Sequence, residues 1–192
     1  MPASHTGERR ADARRNIESI LDAATACLAA DADASVADIA KAAGVGRVTL
    51  YGHFPSRADL IAATLDRSVD HASELLDSLD LGGDPRDALR VLVQEAWSSL
   101  GGLVALHDAA ARALPAGRLR RAHARPMRLV EELIAGGRDV GVFRTDQPAG
   151  WLVTVFFSTI HAAADEVHRG QLDSAEAGPL VASTLLAAYT PP

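Results

Sequence analysis

Residues 35–60, SVADIAKAAGVGRVTLYGHFPSRADL, constrain this chain more than any other stretch, because they specify two short helices and the turn between them. Ser35 followed three residues later by Asp38 is a capping-box-like start, and Val36, Ile39, Ala40 and Ala43 then recur at helical spacing. Gly44 is placed to end that helix, since a residue without a Cβ takes the left-handed C-terminal conformation freely. Val45 can then turn its side chain back under both helices. Past Gly46 the pattern resumes through Arg47, Val48, Thr49, Leu50, Tyr51 and His53. Two short helices joined by a tight glycine turn read as a helix-turn-helix, whose second member enters the major groove of DNA.

The string AAGVGRVTLYGHFPSRADL resembles the TetR family of transcriptional regulators. The family's most characteristic positions have counterparts at Val45, Thr49, Leu50, Tyr51, Gly52, His53, Phe54, Ser56, Arg57 and Leu60. The resemblance covers about the first third of the chain. It implies an all-α fold with an N-terminal three-helix helix-turn-helix DNA-binding domain over residues 1–56. A helical ligand-binding and dimerisation domain is expected over residues 57–192. Two positions depart from the family pattern: Gly46 stands where Ser, Thr or an acidic residue is frequent, and Gly52 where a bulkier side chain is common. Each removes a potential contact, and Gly52 costs the helix about 1 kcal/mol relative to Ala.

Charge by itself does not argue for DNA. The formal net charge is −6, and residues 1–60 hold seven Lys/Arg against eight Asp/Glu, whereas a DNA binder is usually basic. Local placement is the stronger argument, because Arg9, Arg10, Arg14, Arg15, Lys41, Arg47 and Arg57 can gather on one face. With 48% hydrophobic residues the chain can bury an ample core. Cys27 is the single cysteine, which excludes an intramolecular disulfide framework and fits a reduced compartment. No apolar run approaches membrane-spanning length and the N-terminus has no signal-like core, so a cytoplasmic protein with no membrane partner is expected.

Along the chain, residues 1–8 read as a disordered arm, and Ala11 to Ala30 as a supporting helix with Ile17, Ile20, Leu21, Ala24 and Leu28 on one stripe. That helix should complete a three-helix core with Ile39, Val45, Leu50 and Phe54. A long connector helix is expected from Arg57 to Leu79, then a linker at 81–85, and helices near 86–100 and 103–114 separated by Gly101-Gly102. The next helix, 118–135, carries Pro126, which should kink it or mark a late start, and Gly136-Gly137 should end it. Trp151 to His168 is apolar around most of its circumference, with Thr154, Ser158, His161 and Asp165 as a narrow polar stripe. The last helix, from Ser174 or Pro179 to Tyr189, is likewise apolar. Such surplus apolar surface points to a homodimer through a four-helix bundle, with Leu185 at its seam.

Arg47, Thr49, Tyr51, His53, Arg57 and Lys41 are the candidate DNA-binding residues. Arg47 begins the second short helix, and its planar fork matches the O6/N7 edge of guanine. Thr49 can reach a phosphate or a thymine methyl. The resemblance implies phosphate contacts at Tyr51, His53 and Arg57. It also implies a small-molecule effector site, around which Trp97, His107, Met127, Trp151 and Phe157 are expected: large, mostly apolar groups with a few polar tips. Arg118, Arg120, Arg121, His123, Arg125 and Arg128 form a second basic cluster, read as a solvated helix face in preference to an anion site. His161 and Asp165 lie one turn apart, but no third ligand is evident and no metal or cofactor is expected. An enzyme on a helical scaffold is the rival reading. Against it, the chain has no Gly-rich phosphate loop, nucleophile elbow or metal signature. The expected function is a ligand-responsive repressor that binds a palindromic double-stranded operator, with a helix-turn-helix regulator lacking any effector as the alternative.

Overall fold

The computed structural model describes residues 4–100 and 104–192, the side chains of residues 4–11 and 100 excepted. Among the described residues the fold is all-α. The helices are α1 Ser4–Ala30, α2 Val36–Ala42, α3 Arg47–His53, α4 Arg57–Asp77 and α5 Pro85–Leu100. After these come α6 Val104–Ala113, α7 Ala116–Ala122, α8 Ala124–Asp139, α9 Ala149–His168 and α10 Ser174–Tyr189. The chain packs as two compact units, one running up to Ser68 and including Ala105–Leu119, the other comprising Val69–Val104 and Arg120–Pro192. The division falls inside α4 and not at the 56/57 boundary expected from sequence. The reason is that α4 is continuous: Leu60, Ile61 and Leu65 are buried within the first unit, while Leu76 belongs to the core cluster of the second.

In the first unit α1 begins at Ser4, taking in most of the segment expected as a disordered arm. Glu8, Arg9, Arg10 and Ala11 all favour helix, and only Gly7 opposes it. Residues 1–3 lie outside the described residues, as does the expected Gly101-Gly102 break. Ile20, Leu21, Ala24 and Leu28 are buried along α1, the stripe that its period predicts, and Ile39, Leu50 and Phe54 are buried as expected from the second and third helices. Val45 is only half-buried. Leu106, Ala109 and Ala110 on α6 add further buried surface to this unit. Arg67 on α4 donates to Asp22 of α1 at 2.7 Å, and Arg118 on α7 donates through both terminal nitrogens to the Asp66 carboxylate, a fork that ties α7 to α4.

The second unit is built on one apolar cluster to which α5, α8, α9 and α10 contribute most, including Leu89, Leu92, Val93, Trp97, Val130, Ile134, Phe156, Ile160, Val181 and Leu185, with Leu76 of α4 and Phe143 of the loop after α8. Asp84 accepts from the Arg86 backbone N–H at 2.8 Å, so α5 starts with Pro85 in the position where no N–H is needed. The helix expected at 118–135 is two helices, broken at His123, and Pro126 falls in the first turn of α8, where its missing donor costs nothing. Contrary to expectation, α8 runs through Gly136-Gly137 to Asp139. Gly137 serves packing and does not end the helix: a Cβ added there would stand 2.1 Å from the Phe143 ring, which lies against the bare backbone. Phe143 also meets Tyr189, the two rings near perpendicular and their centres 5.6 Å apart, and the Tyr189 hydroxyl donates to the Leu152 carbonyl at 2.6 Å. Of the two starts the sequence allows, α10 takes Ser174, because Asp173 caps the Ala175 N–H at 2.7 Å.

Candidate nucleic-acid interface

The turn between α2 and α3 is built as the sequence directs. Ser35 accepts from the Asp38 N–H at 3.2 Å and donates to the Asp38 carboxylate at 2.5 Å. That hydroxyl holds the Asp38 carboxyl below the usual carboxylate range. At the other end of α2, Gly44 has φ of +68°, Val45 N–H returns to the Ala40 carbonyl at 3.0 Å and Gly44 N–H to the Lys41 carbonyl at 3.2 Å. This paired closure is a Schellman motif, and the left-handed residue at its centre is why glycine stands there. The chain then re-enters helix at Arg47 with Leu50 as the one buried residue of α3.

With Leu50 and Phe54 buried beneath it, α3 presents Arg47, Val48, Thr49, Tyr51 and Gly52 to solvent, and His53 is half-buried. Lys41, at the end of α2, is also exposed. Arg57 is placed differently from the other candidates: its guanidinium donates to the Ala32 carbonyl at 2.8 Å and lies 3.4 Å from that of Ala34, holding the loop between α1 and α2. Its role in this structure is to brace the motif from behind. Among the other basic residues, Arg14, Arg15 and Arg47 are exposed, while the side chains of Arg9 and Arg10 lie outside the described residues. Val48 is the residue that sequence reasoning passed over. It is 87% exposed, and its position 200° around the helix from Leu50 was a legible signal.

The family model described as bacterial regulatory proteins, tetR family, matches residues 20–64, a span that starts inside α1 and ends inside α4 and so encloses the whole motif. That match places the helix-turn-helix of this chain in the TetR family. Over 181 residues it is 28% identical to the HTH-type transcriptional repressor LfrR of Mycolicibacterium smegmatis, covering 88% of this chain and 86% of that protein. The structure of the Mycolicibacterium smegmatis TetR-like regulator LfrR in complex with proflavine matches with a TM-score of 0.70 and 25% identity, over 89% of this chain and 95% of that one. The Bacillus subtilis regulator FadR in complex with stearoyl-CoA shares the fold, with a TM-score of 0.74 at 19% identity over 88% of this chain and 97% of that one. This chain is therefore a DNA-binding transcriptional regulator. The curated relatives are regulators and not enzymes.

Of the five residues expected around an effector, Trp97, Met127 and Phe157 belong to the one core cluster of the second unit. Trp97 is buried in the core of the second unit, its indole N–H donating to the Ser174 carbonyl at 3.1 Å. Met127 and Phe157 are half-buried against the same core, and Phe157 meets Phe156 edge-on at 5.3 Å. Trp151, by contrast, is 54% exposed on α9, and His107 belongs to the first unit. Two open cavities in the second unit are lined by other residues. One of about 540 Å³ lies between α5 and α10, and one of about 390 Å³ between the linker at 81–85 and α8. The second basic cluster is partly neutralised: Arg118 is held by Asp66 and Arg125 by Asp77, leaving Arg120, Arg121 and Arg128 exposed. Among the described residues no group of three or more His, Cys, Asp or Glu could hold a metal ion. No described helix is long and apolar enough to cross a membrane.

Proposed function

We propose that this regulator is a homodimeric repressor, acting in the cytoplasm, that binds a palindromic operator through two copies of α3 and is released by a small-molecule effector. The observation that carries the reading is the bare outer face of α3, headed by Arg47, in a chain that resembles a named repressor over most of its length. The dimer is supported by the outward faces of α9 and α10. Trp151, Thr154, Ser158 and Ala162 on the one, and Leu180, Ser183, Thr184 and Ala187 on the other, are exposed and carry no charge in a chain of 23% charged residues. An uncharged face on two adjacent helices is what an interface core requires. This puts Leu180, 51% exposed, at the seam in place of the fully buried Leu185.

LfrR bound to proflavine and FadR bound to stearoyl-CoA support an effector with a large apolar part. We place the effector site in the second unit, whose core cluster Trp97, Met127 and Phe157 share. An effector acts only through a difference in affinity between DNA-competent and released states, and about 1–3 kcal/mol of coupling suffices. Footprinting the wild-type protein on DNA upstream of its own gene tests the reading. A protected palindrome with half-sites about 34–36 Å apart, or a multiple of it, is expected. Arg47→Ala should then cost about 1–3 kcal/mol and relax one base position per half-site, whereas Tyr51→Phe should weaken all sequences evenly. An Arg47→Ala protein with unchanged affinity and preference would remove Arg47 from the interface. Proflavine added to the protein–operator complex is the first effector probe, read by the fluorescence of Trp97 and Trp151, the only tryptophans.

A further inference from the structure

We propose that Val48 reads a thymine 5-methyl group in the major groove, and that Gly52 keeps the same helix face bare so that the backbone of α3 comes close enough for it to do so. The proposal rests on the regulator reading above and deepens it at one base position. Val48, 87% exposed, is more exposed than any other large apolar side chain in the described residues. At 100° per residue, Val48, Tyr51 and Gly52 share the outer face of α3, opposite the buried Leu50. A valine there has no donor or acceptor. Among the four bases only thymine presents an apolar group in the major groove, so the chemistry of Val48 singles out that partner.

Gly52 supplies the independent observation. Its backbone is helical, without the left-handed φ that would demand glycine, and a Cβ added to it would meet nothing within 4 Å. Neither the fold nor the packing calls for glycine, and glycine weakens a helix relative to alanine. Gly46 differs: its φ is −72°, and an added Cβ would make only an ordinary contact, 3.9 Å, with the Thr49 hydroxyl. Gly46, as the N-cap of α3, stands where glycine is common, so Gly52 alone is the small residue beside the exposed valine that the helix has no internal reason to carry. What Gly52 leaves free is room outside the protein, on the face where DNA would lie.

The test uses the full chain and its footprinted operator, with each half-site thymine replaced in turn by uracil, which deletes only the methyl group. Binding is followed by fluorescence anisotropy. At one thymine per half-site, uracil should weaken wild-type binding about fourfold, the worth of one buried methyl-sized group. Val48→Ala should bind the thymine and uracil operators alike. Gly52→Ala should melt at a higher temperature than wild type yet bind the operator at least about tenfold more weakly. A wild type indifferent to every uracil, or a Val48→Ala protein as sensitive to uracil as wild type, overturns the assignment of Val48. Gly52→Ala binding as tightly as wild type overturns the close approach. A wild type that binds no operator at all overturns the regulator reading and this proposal with it, a result distinct from either of the others.

Discussion

In α3, seven residues long, Val48 and Tyr51 stand out to solvent and Leu50 alone is buried. In α10, sixteen residues long, Ala177, Val181, Leu185 and Tyr189 are all buried at steps of four, and Leu180, Ser183, Thr184 and Ala187 face outward. Both helices are rich in apolar side chains, yet one is held by a single anchor and the other by four. The difference follows from what surrounds them. Length is not the cause, since α2, also seven residues long, buries Val36, Ile39 and Ala40; α3 is covered on one side only, at Leu50, and the rest of it is available to a partner. Four turns with an i, i+4 row are locked into the protein along their whole length, and only the opposite face remains open. A recognition element and a scaffold element can therefore have similar composition and opposite exposure.

The comparison breaks most visibly at Leu185. Leu185→Asp would bury an unpaired charge in a fully enclosed position and should destabilise the protein by at least about 4 kcal/mol, read as a lost or strongly shifted urea transition. Leu180→Asp, five residues earlier and half-exposed, should leave the helical circular dichroism intact while lowering the sedimentation coefficient of the proposed dimer. A folded Leu185→Asp protein would mean that α10 is not anchored as described.

Gly137→Ala sharpens the same contrast on the scaffold side. The added methyl would run into the Phe143 ring, and the net cost should be about 1–3 kcal/mol despite the better helix propensity of alanine. At Gly52, where an added methyl meets nothing, the same substitution should stabilise. Thermal melts of the two variants should move in opposite directions, and parallel shifts would erase the distinction. Pairing Gly137→Ala with Phe143→Leu should recover part of the loss if the ring is its cause.

A smaller effect is expected at Tyr189. Its hydroxyl bond to the Leu152 carbonyl should be worth about 1 kcal/mol, lost in Tyr189→Phe. Burial raises the Tyr189 pKa above its ordinary 10.0. A group whose folded pKa is raised contributes its stability below the unfolded value and loses it as pH rises toward the folded one. Wild type should therefore weaken above about pH 10 more steeply than Tyr189→Phe, a difference that denaturation at pH 9 and pH 11 would measure.

Asp38 gives the smallest expected effect and the opposite sign. Its folded pKa lies below 3.8 because the Ser35 hydroxyl donates to it. Its contribution is present above the unfolded value and lost as pH falls through the folded one, so the start of α2 should loosen only below about pH 4. Asp38→Asn should flatten that part of an acid titration followed by circular dichroism and leave the protein slightly less stable than wild type at neutral pH, where the carboxylate is charged.

The helix-turn-helix was legible in the residues because its determinants are local. A cap at Ser35, a left-handed glycine at 44 and the 3.6-residue period carry their information within about four residues. The all-α class and most helix boundaries follow for the same reason, and the late start of α8 at Ala124 was readable from Pro126 in its first turn. Three things were decided only when distant segments met. Gly137 lies inside α8 because a ring six residues ahead packs onto it. Arg57 turns to carbonyls at 32 and 34 because the end of the first helix brings them within reach. Trp97 and Trp151, alike as residues, divide into core and surface according to which face of α5 or α9 the other helices cover. Local sequence sets the period of a helix and where it starts and stops; which of its faces is covered depends on what packs against it.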